Sequence, residues 1–291
     1  MSTGVYQGTK RKSRISKGDQ VSGILFALPW ILGILIFFAY PLLSSIYFSL
    51  TDFNGQTVNA FLGFRNFTNL FADRDGTFWI SIRNTLIYTA MAVPSVILLG
   101  LCLALVMNIK SRVQGIYRVL AFLPTLVPAV ATGVIWQWLL RPYLEEPSLA
   151  IPALVFITWW GLGSGLIILL AGLQDVPETY YEAAALDGAS AWKKFRHVTL
   201  PLISPVLFFR ILTDTIGALQ QFALPYLVGG SQGGVLNSML FYNVRLFNAA
   251  FSEFRMGQAS AMAWLAFIVI ALVTLIIYRT SKYWVHYMGG D

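Results

Sequence analysis

Two charges, Arg210 and Asp214, stand inside an otherwise apolar run. Four residues apart, they share one face of a helix and can pair there. Each alone costs roughly 2.5–3.5 kcal/mol at the centre of a membrane helix on insertion scales. Two readings stay open. The pair faces a polar pathway, or Arg210 snorkels towards a helix end and Asp214 neutralises it. Further along come Gln220 and Gln221, then Asn237 and Asn243, with aromatic residues between them. Uncharged amides beside ring faces suit a sugar, whose hydroxyls need hydrogen bonds and whose ring faces are apolar. Glutamines in a membrane helix also serve as glue between helices. Asp214, Gln220, Gln221 and Asn243 are therefore the candidate lining of a substrate pathway.

Other chemistry is disfavoured. The Gly229–Gly234 run GGSQGG lacks the Lys-Ser/Thr that a phosphate-binding loop requires, and reads as a flexible loop. Gly163-Ser164-Gly165 loosely resembles the Gly-x-Ser-Gly of rhomboid proteases, but a serine nucleophile needs a base nearby. The two histidines, His197 and His286, both fall in polar segments outside the spans. Gly161, Gly163 and Gly165 read instead as small residues that let helices approach closely. No span holds a cluster of His, Cys and carboxylate suited to a metal. The single cysteine, Cys102, excludes an intramolecular disulfide and is expected to be a small buried hydrophobe. The chain is expected to be no enzyme.

The elements that position these residues are membrane helices. Of 291 residues, 57% are hydrophobic and 11% charged, against roughly 25% charged in a soluble domain. Mean hydropathy is +0.67. A net charge of +7 then points to membrane topology and anionic lipid headgroups, not to nucleic acid. Six segments approach or exceed the ~20 apolar residues of a span, near 21–50, 85–107, 119–140, 148–173, 202–228 and 259–278. Pro29 and Pro41 are expected to kink the first. Residues 1–20 are a basic tail, and residues 21–291 form the membrane domain. With the N-terminus inside, thirteen Lys and Arg lie in inner segments and six in outer ones, so both termini are expected to be cytoplasmic. The outer segment 51–84 is amphipathic, able to lie on the interface or pack on other helices. No internal repeat is visible.

One polar segment is too long to be a mere connection. Residues 174–205 carry Asp175, Glu178, Glu182, Asp187, Lys193, Lys194, Arg196 and His197. Asp175 and Glu178 have capping-box spacing, with Pro177 in the first turn. Tyr180–Leu186 suits an alanine-rich helix, Gly188 a left-handed stop, and Ser190 the cap of a second helix carrying Trp192 and Phe195. Pro201 and Pro205 mark the return to the membrane. The expectation is helix, glycine turn, helix on the cytoplasmic surface.

This segment closely resembles the EAA loop of ATP-binding-cassette importer permeases: Glu182, Ala183, Ala184, then Gly188, then Leu200-Pro201. The wording YYEAAALDGASAWKKFRHVTLPLISPVL is similar to the carbohydrate branch, the permeases of the maltose and glycerol-3-phosphate type. ALPWILGILIFFAYPLLSSIYFSLTDF, FLGFRNFTNL, NTLIYT, FLPTLVPAVATGVIWQWLL and LLAGLQDVP follow the same branch, so the resemblance covers nearly the whole chain. It implies an all-α membrane protein of six transmembrane helices, the type I importer permease fold, with a cytoplasmic coupling helix between spans four and five. It implies a prokaryotic cytoplasmic membrane and import of a sugar, oligosaccharide or related polyol. The implied partners are a second homologous permease, an ATPase dimer holding the ATP and magnesium, and an extracytoplasmic solute-binding protein. No cofactor is expected on this chain. The loop at 174–201 would dock on the ATPase through Glu182, Ala183, Ala184, Asp187, Gly188, Leu200 and Pro201. Small alanines would permit close approach, and Glu182 would offer a fixed charge to a donor on the partner.

Two stretches depart from the family pattern. The connection 141–147 is short, and VGGSQGG lacks the proline usual after span five. Both concern the outer face. The rival is an ion-driven secondary transporter, which calls for internal repeats and several intramembrane carboxylates. Only Asp214 qualifies.

Overall fold

The computed structural model describes residues 17–109 and 114–286. Most of the expected tail, together with Lys110 and Arg112, lies outside the described residues. Helix α1 (Lys17–Ile34) already begins ahead of the boundary expected at residue 21. It runs through a π turn (Leu35–Ala39) into α2 (Tyr40–Ser49), one apolar rod from Gly23 to Ser49. Pro29 sits inside α1 without breaking it. The π turn ends two residues before Pro41. A proline has no N–H and collides with the carbonyl four residues back, and the wider turn, closed by Tyr40 N donating to Leu35 O, relieves that collision.

The outer segment is not wholly helical. Strands β1 (Thr51–Phe53) and β2 (Val58–Phe61) form an antiparallel hairpin, followed by α3 (Arg65–Phe71). Asn54 Oδ1 accepts from Gln56 N and Thr57 N to close the turn, where Gly55 takes φ +96°. Buried Asn66 donates to Ser49 O and Thr51 O, at 2.8 and 2.9 Å, pinning α3 on the end of the first span. Of the expected amphipathic face, Leu70 is buried and Phe67 half-buried, while Phe61, Phe64 and Phe71 are exposed.

Helix α4 (Thr77–Asn108) is the axis of the protein. It supplies residues to all three apolar clusters: Phe78 to one, Tyr88, Ala92 and Val93 to the next, and Leu101, Ala104 and Met107 to the third. Cys102 lies on an exposed face of α4, contrary to the burial expected of it. The neighbour span is bent by 93°: α5 (Gln114–Phe122) with a 3-10 turn, then α6 (Ala129–Leu139), leading to the short α7 (Arg141–Glu145). The next pair, α8 (Ala150–Trp160) and α9 (Gly163–Gln174), is bent by 58°. Then come α10 (Glu178–Leu186), α11 (Ala191–Lys194), a second π turn ahead of Pro201, and α12 (Leu200–Leu202). A 66° bend at Ile203 turns the chain into α13 (Ser204–Leu219), which continues after an interruption as α14 (Ala223–Gly229). The chain ends with α15 (Tyr242–Phe247), a third π turn and α16 (Met256–Ser281). The described residues thus hold three helices long and apolar enough to cross a membrane and three bent pairs, compatible with six crossings.

Polar side chains tie spans together among the described residues. Trp264 Nε1 donates to Ser45 Oγ at 3.1 Å, joining the first span to α16, and Trp159 Nε1 donates to Ser95 Oγ at 3.0 Å. The glycine-rich run is not the flexible loop expected. Gly230, Gly233 and Gly234 take positive φ, and a Cβ on Gly233 would strike the backbone of Leu240. Asn84, 1% exposed, holds the turn that follows by donating to Asn237 O at 2.8 Å and Leu240 O at 3.2 Å. Asn84→Ala removes the bonds to one buried and one half-buried carbonyl and is expected to cost about 2 kcal/mol, read as a lowered Tm of the detergent-purified protein.

Candidate functional site

The polar segment folds as expected in outline and differs at its start. Pro177 is the N-cap of α10 and not a first-turn residue, and no side chain caps that end. Asp175 instead closes α9, so the capping box does not form. The stop is a Schellman motif: Gly188 N donates to Ala185 O and Ala189 N to Ala184 O, with Gly188 at φ +72°. Ser190 Oγ then accepts from Lys193 N and starts α11.

Two surfaces result. Glu182, Ala183, Ala185, Asp187 and Gly188 are exposed, and Leu186 is 90% exposed at the tip. The inner side is tied down. Tyr181 Oη bonds Thr199 Oγ1 at 2.9 Å, and Tyr181, Phe195 and Leu200 pack on the cluster formed by Leu166, Leu169, Leu170, Leu173, Ile203 and Leu207. Leu200 thus belongs to the attachment, and Pro201 and Ala184 are half-buried. Trp192 does not anchor α11 to the spans. It is 66% exposed, touching Phe195 at 5.5 Å between ring centroids.

The membrane-embedded candidates divide in two. Arg210 and Asp214 pair on α13 at 2.8 Å, their side chains 13% and 19% exposed. The guanidinium rests on Gly165 of α9, where any Cβ would collide with it. Gly163 meets α5 in the same way, its absent Cβ leaving room for Phe122 Cα. Gly161 has no such neighbour and marks the bend between α8 and α9. Asp214 and Gln221 line one cleft of about 190 Å³, with Tyr88, Thr158 and Thr213. Gln221 Nε2 donates to Tyr88 Oη at 3.2 Å, and Tyr88 Oη bonds Thr158 Oγ1 at 2.8 Å. Gln220 and Asn243 lie elsewhere, joined by Asn243 Nδ2 donating to Gln220 O at 2.7 Å.

A larger cavity of about 620 Å³ adjoins the cleft and shares Thr158 and Gln221 with it. It lies where three helices are interrupted: Pro124–Ala129 between α5 and α6, Gly161 between α8 and α9, and Gln221 between α13 and α14. Thr125, Thr132, Ser164 and Trp160 supply hydroxyls and a ring face. These residues, with Tyr88, were missed in the sequence. Hydroxyls within apolar runs were the available signal, but they also occur wherever a serine or threonine bonds its own helix, as Thr158 does to Leu154 O.

Residues 96–285, which include the surface hairpin and every residue lining the larger cavity, match the family described as "binding-protein-dependent transport system inner membrane component". The chain belongs to this permease family. The permease is 33% identical to the probable ABC transporter permease protein YesP of Bacillus subtilis, over 99% of both chains. It is 30% identical to the lactose transport system permease protein LacF of Rhizobium radiobacter, covering 92% of this chain and 95% of that one. Its fold matches a chain of the bacterial ABC transporter involved in import of the acidic polysaccharide alginate, with a TM-score of 0.69 and 20% identity over 92% of this chain and 98% of that one. The permease is a multi-pass inner membrane protein of the importer fold.

The ion pair yields a test. Asp214→Asn leaves the Arg210 charge against α9 without its partner and is expected to lower the stability of the permease by about 3 kcal/mol. The double variant Arg210→Gln/Asp214→Asn is expected to recover most of that loss in thermal unfolding.

Proposed function

We propose that this permease is the membrane subunit of an ATP-driven, binding-protein-dependent importer of a sugar, oligosaccharide or related polyol. The surface hairpin carries this reading. Its outer side presents Glu182, Ala183, Asp187 and Gly188 to a partner, while its inner side is bonded and packed to α9 and α13. That is the construction a rigid docked element needs to turn closure of an ATPase dimer into movement of helices. ATP and magnesium belong to that ATPase, and this chain holds no cofactor or catalytic site of its own. A second homologous permease and an extracytoplasmic solute-binding protein complete the assembly.

In this reading residues 1–20 are a tail on a single membrane domain, and both termini are cytoplasmic, as the distribution of Lys and Arg supports. Asp214 and Gln221, with Thr158, Ser164 and Trp160, form the sugar-facing part of the path. Hydroxyl and amide groups beside a tryptophan suit a neutral polyhydroxylated ligand. The 30% identity to a lactose transport permease supports a carbohydrate. Gln220 and Asn243 lie further along the path towards the outer face. An ion-driven mechanism is disfavoured because Asp214 is neutralised by Arg210.

Gly188→Asp forces a side chain into the left-handed region at the tip of the hairpin. The variant is expected to insert normally and to abolish sugar uptake in cells carrying the partner subunits. Uptake at the wild-type rate would refute docking through the hairpin. A mild-detergent pull-down of the tagged permease is expected to bring an ATPase and a second permease with it. Recovery of the chain alone, where a control importer stays intact, would refute the assembly.

A further inference from the structure

Helices α5 and α9 run in opposite directions and touch where Gly163 meets Phe122. From that contact a groove of about 380 Å³ extends along both, lined on α5 by Phe122, Val119 and Arg118 and on α9 by Ile167, Leu170 and Gln174. Its walls are apolar except at one end, where Arg118 and Gln174 stand. In the orientation proposed above, that end is the cytoplasmic one.

Arg118 is the anomaly. Among the described residues its Nε is buried without a hydrogen-bond partner and no carboxylate lines the groove. Arg210, whose Nε is also unpartnered, has Asp214 as its counterion. The nearest acids along α9, Asp175 and Glu178, lie beyond its end and outside the groove. A guanidinium N–H buried without an acceptor is costly, and an anion whose oxygens engage the same guanidinium offsets that cost. The walls below it, with Val119 64% and Ile167 54% exposed, call for hydrocarbon.

We infer that this groove is a binding site for an anionic phospholipid of the inner leaflet, with the headgroup phosphate on Arg118 and one acyl chain between α5 and α9. The charge complement chooses the occupant: the inner leaflet carries the anionic lipids, and a cation near its surface contributes about 1 kcal/mol. Gln174 offers an amide to the glycerol or headgroup oxygens.

The site is tested on the assembled importer in mixed phosphatidylglycerol and phosphatidylcholine, by native mass spectrometry of retained lipid and by labelling with a photoreactive phosphatidylglycerol. Phosphatidylglycerol is expected to be retained in preference, with label on peptides of α5 and α9. Arg118→Gln is expected to reduce that preference about fivefold with the assembly intact, and Arg118→Lys to restore part of it. Ala171→Trp, at the groove wall, is expected to abolish labelling of α9 whatever the headgroup. Equal retention of both lipids by wild type, an unchanged preference in Arg118→Gln, or label confined to other helices would overturn the site. So would cross-links showing the second permease seated in the groove. None of these readouts depends on transport, so failure of the lipid site leaves the importer reading untouched, and an inactive importer leaves the lipid site measurable.

Discussion

A helix that breaks inside a bilayer leaves N–H and C=O groups that no water can satisfy unless the break lines a cavity or is buried in protein. Much of the permease follows from that constraint. Its three longest runs are continuous, while three interruptions, between α5 and α6, α8 and α9, and α13 and α14, meet at one cavity. At the breaks the N–H groups of Val127, Gly161, Leu162 and Gln221 each find the carbonyl three residues back, so the interruptions leave those donors satisfied beside the cavity. Thr125, Thr132, Thr158 and Ser164, each within a few residues of a break, add hydroxyls to the cavity. Such a place suits a ligand of many hydroxyls better than a lipid tail or a metal ion.

Continuous α4 is what holds the broken elements in register. It touches every apolar cluster and, through Asn84, Tyr88 and Ser95, reaches the outer turn, the cleft and α8. One of those clusters also receives Tyr181, Phe195 and Leu200 from the surface hairpin. A displacement at the hairpin would therefore meet close-packed side chains that transmit it to α9 and α13, because such a core has few voids to absorb it.

Much of this was legible in the residues. Apolar length located the six candidate spans, and Gly188, Ser190 and the alanine run outlined the hairpin, because these are local matters of hydropathy, capping and backbone sign. What stayed hidden depends on packing. Pro177 moved out of the first turn because Asp175 is consumed in ending α9. The strands at 51–61 are too short to show a period. The glycines at 229–234 read as slack, yet Gly230, Gly233 and Gly234 sit where the backbone must turn left, and Gly229 where a Cβ would be crowded. Gln220 and Gln221 are neighbours in sequence and diverge in space, one amide in the cleft and the other outside it, because the helix ends between α13 and α14.

The contact between α9 and α13 joins the two candidate regions. Gly165 and Gly172 lie seven residues apart, two turns on one face of α9, and each is filled by the partner helix: Gly165 by Arg210, Gly172 by Val206. Their order along α13 is reversed, so the helices run antiparallel with backbone and side chain in close contact over two turns. Small residues of this kind are how membrane helices gain packing where no hydrophobic effect drives them together. The same α13 begins at the hairpin's return, carries Asp214, and ends beside Gln221 at the cleft. Arg210 completes the contact. Its charge is neutralised one turn away by Asp214, so a long cationic side chain can fill the space over a glycine without leaving an unpaired charge in the membrane. The ion pair thus lets two helices lock together along a line that runs from the surface hairpin to the cavity. A hairpin pulled by a partner would move that line as one body, and with it Asp214 and Gln221 at the cleft.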